Sequence, residues 1–226
     1  DAIACSDKDD EWYPEKLELS CAGLEQVGSL GLVHTDMHIE RADGSREVQT
    51  AWVTEQRGID HCKPQHFLVR NIVAGCSMIF DAELARRYPE IPEGALFHDH
   101  WYALVAATHA DVGALDQPTY LYRQHGKNEV GVSPFIGRFK LPRSMSVSEV
   151  FEKCRKGWQK SYALCDSALQ QGLPLPLWIR VVFHSPWDLG LGLFFLGLWN
   201  FISDPPLARA AWARAAGKFL SVGRAV

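Results

Sequence analysis

The sequence predicts an α/β protein: a mixed sheet flanked by helices, with a helical extension at the C-terminal end. Three observations lead there. Short apolar runs of strand length recur along the first 125 residues, and segments of helical period alternate with them. Clusters of Gly, Pro and Asp punctuate these runs at turn-like positions. From Ser146 onward the apolar residues fall at helical spacing over a much longer stretch. We therefore divide the chain into a sheet-bearing domain, residues 1–145, and a helical extension, residues 146–226.

Composition sets the outer bounds. With 226 residues, 47% of them hydrophobic and 22% charged, the chain can bury a core as an ordinary globular protein does. A formal net charge of −4 argues against nucleic acid as a partner. Six cysteines without a CxxC pair fit free thiols in a reducing compartment. No basic, apolar leader opens the sequence. It begins inside a strand, as expected of an N-terminally truncated domain. There are no internal repeats.

Ala2 to Cys5 reads as a buried strand, and Asp7, Asp9, Asp10 and Glu11 follow at once. Carboxylates at the carboxyl end of a buried strand are placed for ligands, and so dense a cluster suits Mg²⁺ or Mn²⁺. The alternative is a solvated turn that caps the next helix. An EF-hand loop is excluded, because counting from Asp7 its glycine position holds Trp12. Trp12, Tyr13 and Pro14 close the turn, and Glu15 to Val27 reads as a helix ended by Gly28 and Gly31. Leu30–Ile39 is a strand, and beyond the turn signal Ala42-Asp43-Gly44-Ser45 the segment Arg46–Val53 can return as a second one. His34, Asp36 and His38 alternate on one strand face, which reads as polar rather than metal-binding. Residues 54–68 form a polar loop whose His61, Cys62 and His66 fit no common zinc spacing.

Asn71–Phe80 reads as a second buried strand, and Gly75 within it marks a close approach of ligand or backbone. Asp81 caps a helix over Ala82–Tyr88, and Pro89–Gly94 turns into the helical Leu96–Val105. Asp111–Leu115 and Thr119–Gly126 are two further strands. Ser146–Gln171 is an amphipathic helix that Pro174 and Pro176 break. The apolar run Leu189–Ile202 falls short of the ~20 residues that span a bilayer. Arg209, Arg214, Lys218 and Arg224 follow it, so 187–226 either meets an anionic membrane face peripherally or packs on the preceding domain.

Several of these segments carry a resemblance. Ser6-Asp-Lys-Asp-Asp-Glu-Trp-Tyr-Pro-Glu-Lys-Leu-Glu18 resembles the "SDQDDxWxPxKLE" segment of family 2 glycosyltransferases, bacterial rhamnosyltransferase-like members above all. The run from Asn71 to Ala107 resembles that family's "NxVTGCxMxF…IPxxxxxHDxWxAL" block, and residues 114–131 its "xIDxPLxxYRQHGxNxxG". The likeness covers residues 1 to about 145 and is loose beyond.

The resemblance implies a partial GT-A nucleotide-sugar transferase fold and a metal-dependent inverting transferase. It would move a sugar, rhamnose by the nearest-looking relatives, from a nucleotide-diphosphate donor to a glycan or lipid-linked acceptor. Asp7, Asp9 and His125 are then the ligands of Mg²⁺ or Mn²⁺. Asp7, Asp9, Gly75, Arg123 and Gln124 bind the donor, and Trp12, His98 and Trp101 the acceptor. Asp99 is the general base, and its alternative role is to cap the helix that it opens. A cytoplasmic site at the inner face of the plasma membrane fits such a role. Two other readings stand beside this one. One is a non-catalytic fragment that binds a partner or membrane. The weaker is an Asp-dependent phosphatase, for which Glu11 occupies a position that holds Thr or Val in the haloacid dehalogenases.

Overall fold

One mixed sheet organises the first domain. The computed structural model describes residues 1–57, 59, 62–125, 131–132, 145–185, 192–194, 196 and 205–222. Strands β1 (Ala2–Ala4), β2 (Glu11–Trp12), β3 (Leu32–Arg41), β4 (Met78–Asp81) and β5 (Val112–Gln124) lie in the order β1-β4-β3-β5-β2. Only the β3–β5 pair is parallel; the other neighbours are antiparallel. The expected α/β class with a mixed sheet is therefore present.

Helices cover both faces. Helix α1 (Lys16–Val27) packs through Gly23, which has Val33 and Leu115 against it, and Gly28 ends the helix at φ 89°. That left-handed conformation is one glycine adopts without the steric penalty of a Cβ. On the opposite face lies α5 (His98–His109), whose Trp101 to Ala106 are buried with Leu32, Met78 and Phe80 in the main core. Phe80 stacks on Tyr102 with ring centroids 4.7 Å apart. Helix α4 (Ala82–Arg87) starts where expected, because Asp81 Oδ1 accepts the Glu83 amide at 3.0 Å.

Three strand assignments need correction. Arg46–Val53 does not return as a strand; a lone bridge joins Glu40 to Arg46, and helix α2 (Ala51–Glu55) follows. The Asp36 carboxylate on β3 accepts the Trp52 amide at 3.1 Å and pins the start of α2. The segment after the turn has no buried strand face there, since Val48 is 98% exposed. Of Asn71–Phe80 only Met78 onward is strand; a 3₁₀ turn occupies Gly75–Ser77. The short helix α3 (Pro64–Phe67) lies upstream of it. The two strands expected over 111–126 are one, β5, with register irregularities at Asp36 opposite Pro118. Proline gives the ladder no donor, and the bulge absorbs it without ending the strand.

The extension is helical as expected. Helix α6 (Val147–Gln170) begins with a capping box in which Ser146 and Glu149 satisfy each other's backbone. After α7 (Leu177–His184) comes α8 (Pro205–Val222), which crosses α6 closely at Gly217. Trp158 stacks on Phe183, and Leu164, Cys165, Leu207 and Ala211 join the main core. Most of Leu189–Ile202 lies outside the described residues, but Leu193 is core. Lys218 is 3% exposed, donating to the Val182 carbonyl with Nζ 5.4 Å from the Trp158 ring centre, and Arg214 is half-buried. These two tail cations face inward, so a membrane contact of 187–226 cannot draw on them. Among the described residues no helix is long and apolar enough to cross a membrane.

Candidate functional site

Strands β1 and β2 lie at opposite edges of the sheet, so the acidic turn between them has to cross the ends of the other strands. The crossing pulls its carboxylates over the 3₁₀ turn at Gly75–Ser77. Asp7, Asp10 and Cys76 bring one ligand atom each to within 4.8 Å of one another. Asp10 is half-buried, and among the described residues no side chain pairs closely with its carboxylate oxygens; only the Arg123 amide and the Cys76 thiol lie near enough to ease them. Burial pushes its carboxyl above the usual range. Cys76 lies near enough to ease it, yet the thiol already donates to Tyr120 Oη at 3.2 Å. Burial also drives that thiol far up, which keeps it protonated.

The neighbouring pair is different. Asp9 Oδ2 lies 2.6 Å from His125 Nε2 across 116 residues of sequence, and this hydrogen bond holds the Asp9 carboxyl below its ordinary value. Arg123 pairs with Glu11 at 2.7 Å and with Glu40 at 3.2 Å. A donor diphosphate would have to compete with these carboxylates for the guanidinium. Gln124, half-buried, ends β5 beside Gly131.

Asp99 sits in the first turn of α5, 8% exposed. Its Oδ1 accepts the His100 amide at 2.6 Å and Asn71 Nδ2 at 3.1 Å. Burial raises its carboxyl, while the His100 amide, the His98 charge and the Gly75 amide work against the rise. Phe97 holds the cap position. His98 is exposed, and its ring lies over Gly75 so closely that a Cβ there would come 2.9 Å from Nε2. Gly75 thus marks a close approach, though in a tight turn rather than in a strand. His100 is buried, with Nδ1 accepting the Leu96 amide and Nε2 directed at the Phe67 carbonyl at 2.6 Å. Cys5 joins the two halves of the site: burial raises its thiol, and the charges of Asp99 and Asp7 raise it further.

Two aromatic assignments fare unequally. Trp101 is wholly buried in the core with its indole N–H toward the Tyr88 carbonyl, so it cannot line an acceptor surface. Trp12 is half-buried, its Nε1 has no partner, and Lys16 Nζ lies 5.1 Å over its ring. Lys16 itself is 2% exposed, bonded to Thr119 Oγ1 at 3.2 Å, and burial lowers its pKa to about 8. The His34, Asp36 and His38 side chains do not converge: His34 packs on the Trp52 ring, Asp36 accepts the Met37 and Trp52 amides, and His38 pairs with Tyr13. Burial holds His34 down to about 3. Of the polar loop, His61 lies outside the described residues, while Cys62 donates to the Ile59 carbonyl.

Asp10, Cys76, Asn71 and Lys16 belong to this site and were not singled out from sequence. Asp10 was visible as a member of the acidic cluster. The other three gave no separate signal, since a cysteine in an apolar run and a lysine in a helix look ordinary. The orphaned Asp10 oxygens beside Asp7 fit a hard divalent cation, with Asp9 and His125 next in line; a protonated Cys76 does not add to such a shell. No family model, no curated protein and no solved structure matches this chain.

Proposed function

We propose that the chain is a GT-A, family 2-like inverting glycosyltransferase, working on a nucleotide-diphosphate sugar and a glycan or lipid-linked acceptor. One observation carries this reading. Four blocks far apart in sequence meet at one end of the sheet: the acidic turn, Gly75–Cys76, His98–Asp99 and Arg123–His125. They are the same blocks on which the family resemblance rests, and nothing but the fold brings them together.

In this reading Asp99 is the base. Its Oδ1 is taken by Asn71 and the His100 amide, and the acceptor hydroxyl would meet Oδ2 on the side of Gly75, whose amide also bonds this carboxyl. The acceptor oxygen bonds to the sugar C1 as the C1–O bond to the diphosphate breaks, and the hydroxyl proton passes to Asp99. Burial raises the Asp99 carboxyl, and a raised carboxyl, once ionised, is the stronger base. His100 has both ring nitrogens committed and does not compete. Asp7, Asp10, Asp9 and His125 would hold the cation. Mg²⁺ or Mn²⁺, when bound, offsets charge on the leaving diphosphate.

A panel of nucleotide-sugars, deoxythymidine-diphosphate rhamnose first, tests the reading through metal-dependent release of nucleoside diphosphate. Asp99→Asn should lower turnover by roughly 10²–10⁴-fold with little change in donor binding. The acid limb of the wild-type rate should sit above the ordinary aspartate range, because burial raises Asp99. A protein that consumes no nucleotide-sugar, or an Asp99→Asn variant of normal rate, would overturn it.

A further inference from the structure

A cleft of about 410 Å³ opens between the sheet-bearing domain and the helical extension. Lys153 and Lys160 of α6, Arg209 and Arg214 of α8, and Arg70 line it, and no Asp or Glu stands among its described lining residues. The chain carries a net charge of −4, so the cleft is locally opposite in sign to the molecule as a whole. Lys153 and Lys160 are exposed and make no ion pair with a described carboxylate, although their neighbours Arg155 and Lys156 both reach Glu152.

Arg214 gives the cleft its built character. The guanidinium donates to Ser161 Oγ at 2.8 Å and to the Val69 carbonyl at 3.4 Å, both neutral partners. Burial lowers its pKa, as it does for a cation without a counter-charge. The sequence makes room for it: a Cβ on Gly157 would lie 2.5 Å from Arg214 Nη1. A half-buried guanidinium with no carboxylate partner among the described residues is costly, and an anion in the cleft would reduce that cost.

The cleft adjoins the proposed base. Asn71 and His100 both line it, and both donate to Asp99 Oδ1. The remainder of the wall includes Leu68, Leu96 and Leu164, so an anion here would have apolar surface beside it. We infer that this cleft binds the phosphate or diphosphate of an anionic acceptor and so presents the acceptor hydroxyl to Asp99. The inference rests on the transferase reading for the word acceptor, but the anion site itself does not. Several cations around a small volume favour a multivalent phosphate over a single carboxylate. The shared chemistry has two sources, a lipid-borne diphosphate and a phosphate carried by a soluble glycan.

The test is a titration of the whole protein with inorganic pyrophosphate in the presence of EDTA, which removes metal-dependent donor binding. Wild type should bind, and Lys160→Ala/Arg209→Ala should bind on the order of 10- to 100-fold more weakly, as two charge-assisted contacts are lost. Lys153→Ala, a second exposed position, should weaken binding independently, and thermal melts of all variants should stay near wild type. Asp99→Asn should bind pyrophosphate at least as tightly as wild type, because it removes a negative charge beside the cleft, even though it abolishes the proposed base; this separates the site from the chemistry of transfer. Farnesyl diphosphate binding much tighter than pyrophosphate assigns the lipid source; equal affinity of the two assigns the glycan phosphate. Absence of pyrophosphate binding, or equal affinity in wild type and the double variant, overturns the site even if nucleotide-sugar is consumed. Binding without consumption of any nucleotide-sugar upholds the anion site and defeats the transferase reading alone.

Discussion

Among single residues, the acidic turn divides its carboxylates between two tasks. Asp9 is already hydrogen-bonded to His125 at 2.6 Å, whereas Asp10 stands beside Asp7 with neither oxygen paired by a side chain among the described residues. Sequence pointed to Asp7 and Asp9 because the resemblance weights the first and third positions of the turn. Geometry brings Asp10 forward, because the turn's passage across the sheet end buries it. A cation that uses Asp10 recovers an uncompensated buried charge, while one that uses Asp9 must first break its bond to His125. Manganese titrated into the protein together with a nucleoside diphosphate should therefore bind more weakly to Asp10→Asn than to Asp9→Asn, each keeping side-chain shape while losing charge. Equal affinity in wild type and both variants would remove the metal from this turn. An order reversed, with Asp9→Asn the weaker, would place the cation between Asp9 and His125.

Whole elements were readable wherever local chemistry decides them. Helix α1 ends at a glycine with φ 89°, α4 starts at an aspartate cap and α6 at a serine–glutamate capping box, and sequence alone placed each to within a few residues. Elements decided by distant partners were not readable. Helix α2 exists where the turn signal suggested a strand because Asp36, sixteen residues back, receives the Trp52 amide. β5 continues through Pro118 because its neighbour β3 shifts register to match. The tail is a third case: its basic helix left membrane contact and packing on the preceding domain both open, and only the fold shows Arg214 and Lys218 turning inward onto α6 and α7. Its docking depends on Gly217, where a Cβ would collide with the Cys154 carbonyl and come 2.8 Å from Trp158 Cβ. Gly217→Ala should destabilise the protein by about 1–3 kcal/mol through this overpacking, although alanine is the better helix former. Urea unfolding would measure it; a variant as stable as wild type would mean that α8 does not dock as described.

For the molecule as a whole, site and stability pull against each other through pH. Asp10, Asp36 and Asp99 all have carboxyls raised by burial, so the folded state holds their protons more tightly than the unfolded chain does. Such groups favour the fold when protonated, and their contribution is lost as pH rises from the ordinary aspartate value through the raised one. Asp81 runs the opposite way: its bonds to the Glu83 and Leu30 amides lower it, and its contribution is lost as pH falls. Total stability mixes the two, but one substitution isolates the first. Asp36 is compensated by the Met37 and Trp52 amides and Asp99 by Asn71 and two amides, whereas Asp10 has only the Arg123 amide and a weak thiol near it and so carries the least relieved charge. Asp10→Asn should be more stable than wild type at pH 7.5, by about 1 kcal/mol, the low end for an unsatisfied buried group that keeps partial access to water. The advantage should shrink as pH falls through the raised Asp10 value, since wild type then becomes neutral there too. Manganese at neutral pH should reduce the same advantage, by stabilising wild type and not the variant. Parallel denaturation curves at pH 7.5 and pH 5, with and without manganese, give all the comparisons. An advantage that ignores both pH and manganese would show that the Asp10 charge is neither strained by burial nor aimed at a cation.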